Sequence, residues 1–169
     1  RGETVGEEVW RFEIVEDRLV CYSTLRRGDL RLDAVLTLRK KDYGPLLYAV
    51  LERQGRVDRE LRLEWKNGKV RSEVKSGGQT AVREIDVAPE AVFIDERLAS
   101  HWLLVQPQRG VRKAFTVPAL ALVDFQMEGG RARIGSVSYG RRLPARIESG
   151  DTRGLLRGSE AFQFKAAKS

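Results

Sequence analysis

Apolar and polar residues trade places along much of this chain with a period of two, which puts successive side chains on opposite faces of an extended strand. Leu30, Leu32, Ala34, Leu36 and Leu38 interleave with Arg31, Asp33, Val35, Thr37 and Arg39, a pattern that a helical period does not explain. Val57, Leu61, Leu63 and Trp65 interleave with Asp58, Glu60, Arg62 and Glu64, and Asn67 and Gly68 follow at once. That pair favours the type I′ turn of a two-residue hairpin, so the next strand is expected from about Lys69 to Lys75. Glu16 and Asp17, Gly28 and Asp29, Gln54 and Gly55, Gly77 and Gly78, and Gly129 and Gly130 punctuate the chain in the same manner. With the runs Trp10 to Val15, Leu46 to Leu51, Thr80 to Ile85, Leu120 to Met127 and Arg133 to Tyr139, the pattern predicts about nine or ten strands. Short turns make a meander the simplest connection.

One stretch breaks the alternation. Asp95 can cap a helix, Leu98, Trp102 and Val105 recur at spacings of four and three, and Pro107 supplies a stop. The spacing predicts a short helix from Glu96 to Val105; the alternative is a strand-length apolar run from Trp102 to Val105. The residues from Lys165 to Ser169 read as a fraying tail.

At 169 residues the chain fits a single β domain spanning 1–169. With 41% hydrophobic and 33% charged residues and no run of 18 apolar residues, the pattern is that of a globular protein without a transmembrane helix. The chain opens on Arg1, so it is silent on any leader segment. Lone residues of Asn, Met and Cys and a preference for Arg over Lys suggest a thermophilic or GC-rich source. The net charge of +7 is unevenly placed: residues 1–100 carry 19 basic and 19 acidic groups, while residues 101–169 carry 12 and 5. Such a field suits an anionic partner, with Arg141, Arg142 and Arg146 as contact residues, whereas the plain alternative is a protein of high pI.

Catalytic chemistry finds little support. One cysteine and one histidine cannot build a tetrahedral zinc site, and Asp95 with Glu96 reads as a solvated turn rather than a hard-cation loop. Ser100 and His101 are neighbours on a helix, pointing about 100° apart, so they do not form a nucleophile and base; His101 reads as an interfacial or capping residue. Ser136 to Gly140 narrowly misses a nucleophile elbow and reads as an alternating strand. Neither a glycine-rich dinucleotide turn nor a Walker sequence occurs, so no cofactor is expected. Cys21, between Val20 and Tyr22, reads as a buried structural thiol. Among Arg131, Arg133, Arg141, Arg142, Arg146, Arg153 and Arg157 only Tyr139 supplies a ring, which is sparse for a nucleic-acid groove.

An antiparallel sheet that curls without closing leaves a concave face in need of cover, which an apolar helix can supply. The fold class expected is therefore mostly β: a curved antiparallel sheet, half-barrel or open barrel, with one short covering helix. This layout, with the stretch from Ala91 to Val105, resembles bacterial envelope half-barrel proteins, the LolA and LolB lipoprotein carriers and related periplasmic families. The resemblance implies a periplasmic or otherwise extracytoplasmic protein enclosing an apolar pocket for acyl chains. The expected function is non-enzymatic binding of a lipid or other apolar ligand, lined by Trp65, Phe93, Leu98, Trp102, Leu103 and Phe125; the same residues can instead fill a dry core. The alternative is an interaction module whose basic C-terminal surface binds an anionic polymer, a membrane surface or an acidic protein.

Overall fold

The computed structural model describes residues 6–105, 115–126, 129–140 and 161–166. Seven strands run in unbroken meander order: β1 (Glu7–Val15), β2 (Arg18–Arg27), β3 (Leu30–Arg39), β4 (Pro45–Gln54), β5 (Val57–Lys66), β6 (Lys69–Ser76) and β7 (Gln79–Asp86). All adjacent pairs are antiparallel, and they form one open, curved sheet. The hairpin grammar holds where it is sharpest: Asn67 and Gly68 both take positive φ, 52° and 74°, the left-handed pair that a type I′ turn requires.

Alternation decides the faces. Cys21, Leu32, Leu36, Tyr48, Val50, Leu61, Leu63, Val70 and Val74 fall on one register and are buried, while their sequence neighbours are more exposed, except for Val20 and Thr37, which pair with each other and are buried as well. Burying a large apolar side chain contributes roughly 1.5–3 kcal/mol, so a one-residue slip anywhere in the meander is strongly disfavoured.

The remaining strands form a second, four-stranded sheet rather than extending the first. β8 (Val92–Asp95), β9 (Phe115–Gln126), β10 (Gly129–Gly140) and β11 (Ala161–Ala166) pair in the order β11-β10-β9-β8. Pro89 marks the break, because proline cannot donate to a ladder. Between β8 and β9 the chain passes through α1 (Ala99–Val105), and that crossover returns it parallel to β8. All four residues of β8 are buried, as befits a strand covered on both faces. The helix begins at Ala99 rather than Glu96, since residues 96 and 97 form a turn. Of the expected fraying tail from Lys165 to Ser169, Lys165 lies in β11, opposite Ser136, and residues 167–169 lie outside the described residues.

One apolar core joins both sheets, with Phe93, Leu98, Leu104, Leu120 and Leu122 packed on the inner face of the meander. β10 lies beside β6 and β7, so the second sheet approaches the far end of the first. Among the described residues no helix is long and apolar enough to cross a membrane.

Candidate functional site

Where β8 hands over to α1, the inner face of the sheet carries polar groups in place of apolar ones. Position 52 shares the buried register of Tyr48 and Val50, yet holds a carboxylate; directly opposite on β5 stands Arg59, in the register of Leu61 and Leu63. Glu52 is 5% exposed and pairs with Arg59 on one side and with Arg97 Nη1, at 2.8 Å, on the other. Arg97 also clasps Asp95, Nε to Oδ1 at 2.9 Å and Nη2 to Oδ2 at 2.7 Å. A bidentate arginine on a buried carboxylate satisfies both charges at once.

Asp95 organises the turn. Its Oδ1 accepts the Arg97 backbone N–H at 3.0 Å, its Oδ2 accepts the Tyr48 hydroxyl at 2.5 Å, and its own N–H donates to His101 Nδ1 at 3.0 Å. The expected solvated turn at Asp95 and Glu96 is thus overturned at Asp95, which is fully buried and already saturated by partners. Burial alone would raise its carboxyl, but the hydrogen bonds and charge of Arg97 hold it below the ordinary range. Burial and the adjacent Asp95 charge push the Tyr48 hydroxyl well up. Burial opposes the Arg97 charge, but Asp95 outweighs it and keeps the guanidinium protonated.

A second group of contacts holds the helix itself. The Glu8 carboxylate on β1 accepts the N–H of Ala99 at 2.6 Å and of Ser100 at 3.2 Å, filling two of the donors that the first turn leaves free. The Ser100 hydroxyl meets that of Ser23 at 2.7 Å, and Ser23 meets Cys21 Sγ at 3.6 Å. Burial pushes the Cys21 thiol up, which agrees with a structural rather than a reactive cysteine.

His101 is fully buried between the rings of Tyr48 and Phe93, 5.4 and 5.8 Å away. Burial pulls its pKa down to about 4, with the Asp95 charge only partly opposing. Because Nδ1 accepts, the neutral ring carries its proton on Nε2, which meets no hydrogen-bond acceptor among the described residues. Ser100 and His101 therefore have separate partners and make no nucleophile–base pair.

Of the residues expected to line a pocket, Phe93 and Leu98 are brought together in the core at 2% and 0% exposure. Trp65 is half-buried at the core margin, its ring 5.1 Å from Phe93, and borders a small cavity of about 160 Å³. Trp102 and Leu103 lie on α1 and Phe125 on β9, with side chains outside the described residues, as are Arg141, Arg142 and Arg146 altogether. A larger cleft of about 530 Å³ runs from Arg39 and Lys41 to Glu90 and Val92, with charged residues on its walls. Among the described residues no cluster of three or more acidic, histidine or cysteine side chains is set to hold a metal.

The polar fastening of the cover was missed by sequence reasoning, although parity signalled it. Glu52 and Arg59 occupy positions where the alternation calls for apolar side chains, and they face each other across one hairpin. Comparison with protein-family models, curated proteins and solved structures finds no match to this chain.

Proposed function

We propose that this protein is a non-enzymatic carrier that takes an acyl chain or similarly apolar ligand between the inner face of its seven-stranded sheet and the helical cover. The observation that carries the reading is how the cover is fastened. Glu8, Ser23, Tyr48 and Glu52 on the sheet hold Ala99, Ser100, Asp95 and Arg97 through hydrogen bonds and ion pairs. Such bonds can be exchanged for water at a net cost of about 0.5–1.5 kcal/mol each, or about 1.5–3 kcal/mol where a charge takes part.

Lifting the turn and α1 separates apolar walls: Leu36, Leu61 and Leu63 below, Leu98 and Leu104 above. Wetting those walls is the larger cost, since apolar surface is worth about 25 cal/mol per Å². An acyl chain laid between them offsets it. The open state then depends on an apolar ligand, and the closed state returns to a filled core. An extracytoplasmic setting, where lipids are exchanged between membranes, belongs to this proposal.

Locking the cover tests it. The Ser23 and Ser100 hydroxyls touch, so Ser23→Cys with Ser100→Cys, in a Cys21→Ala background, places two thiols across the closure. The reduced protein is expected to bind a fluorescent fatty acid saturably and the oxidised protein to lose binding. Equal binding by both forms, or none by the wild type, would overturn the proposal.

A further inference from the structure

The seven-stranded sheet treats its two outer strands differently. β7 carries mainly polar residues and lies beside β10, whereas β1 ends the sheet, and among the described residues no strand pairs with its outer edge. An unpaired row of N–H and C=O groups is usually blunted by charged side chains, proline or a bulge. β1 has no proline and no bulge, nine residues pairing with β2 in unbroken register, and its charges, Glu7, Glu8, Arg11 and Glu13, are of both signs and so able to pair with a second copy. It also holds Val9, Phe12, Ile14 and Val15, at 63%, 38%, 64% and 49% exposure, four of the six large hydrophobics exposed among the described residues.

We propose that β1 is a homodimerisation edge, two copies joining their sheets by antiparallel β1–β1 pairing with Phe12 on the two-fold axis. A two-fold axis through a sheet edge sets each residue opposite one on the same face, so only registers centred on a residue are allowed. With Phe12 at the centre, Arg11 stands opposite Glu13 of the second copy, and the pair occurs twice. Trp10 then faces Ile14, Val9 faces Val15, and Phe12 faces itself. Within one chain Arg11 already lies 3.4 Å from Glu13, so the two copies complete an alternating square of charge.

The two adjacent registers fail, as does the one centred on Trp10. Centring on Arg11 or on Glu13 sets like charges face to face, and centring on Trp10 opposes Glu7 to Glu13. In the favoured register the like-charge meetings are Glu8 with Glu16 and Glu7 with Asp17, both at the margin beyond Val15, and the Glu8 carboxylate is already turned to the N–H groups of α1. The inference stands apart from the carrier reading, because it uses the free edge and not the cover.

Sedimentation of the full chain across a range of concentrations tests it, with circular dichroism to verify folding. The wild type is expected to dimerise. Arg11→Glu and Glu13→Arg should each weaken the dimer about tenfold or more, and combining them should restore it, since the swap recreates both pairs. Should a charge variant fail to fold, cysteine cross-linking in the Cys21→Ala background reads the register directly: Phe12→Cys should link to itself and Val9→Cys should not. A monomer at all concentrations, a dimer indifferent to the single charge changes, or self-linking of Val9→Cys equal to that of Phe12→Cys overturns the proposal.

Discussion

Acidification should destabilise this protein through one residue. His101 is fully buried with a pKa of about 4, against 6.5 for the exposed side chain, and it is the sole histidine of the chain. Between those values the unfolded chain binds a proton that the folded chain refuses. Its contribution is therefore whole above about pH 6.5 and is lost as pH falls toward about 4. One proton changes stability by about 1.4 kcal/mol per pH unit, so the loss between about pH 7.5 and about pH 4.5 should reach about 2.5 kcal/mol. Asp95 acts lower: its carboxyl is depressed, so its contribution persists through this window and fails only below the ordinary carboxylate range. Urea unfolding at several pH values measures the slope, and the lone histidine resonance reports its titration. His101→Asn keeps an acceptor near the Asp95 N–H but cannot titrate, so its stability should be lower at neutral pH and flatter across the window. A wild-type stability independent of pH there, or a variant with the same slope, would refute the reasoning.

Two further predictions concern the fold. Glu52→Gln removes the carboxylate that Arg59 and Arg97 share, while Arg97 keeps Asp95, and should cost about 1.5–3 kcal/mol in urea unfolding, as expected for the loss of charge-assisted hydrogen bonds. Gly68→Ala should cost only about 1 kcal/mol: φ is +74°, while the nearest atom to an added Cβ, the Val87 carbonyl oxygen, is 3.8 Å away, so the penalty is backbone strain without a clash.

The meander was legible because a period of two cannot be satisfied by a helix, and because Leu30 to Leu38 keeps it for a full strand and Val57 to Trp65 departs from it only at Arg59. The division into two sheets was hidden. Val92 to Asp95 is too short and too uniformly apolar to declare its pairing, and its parallel alignment with β9 follows from the crossover through α1. The fastening of the cover lay further from view, since it joins Glu8 to residues more than 90 positions away and depends on folded proximity. Glu52 looked like any charge near a strand end until its face was fixed by Tyr48 and Val50. Phe93 and Leu98 were expected to line a pocket and are buried in the core, and sequence alone does not separate a packed core from the walls of a space that opens.

That distinction is measured most directly by native mass spectrometry of protein purified without detergent and then incubated with phospholipid vesicles. A discrete lipid adduct of one-to-one stoichiometry is expected, which disappears on unfolding and fails to form when the cover is locked by the cross-link between cysteines at positions 23 and 100. A protein that keeps its bare mass after incubation, while remaining folded, would contradict it.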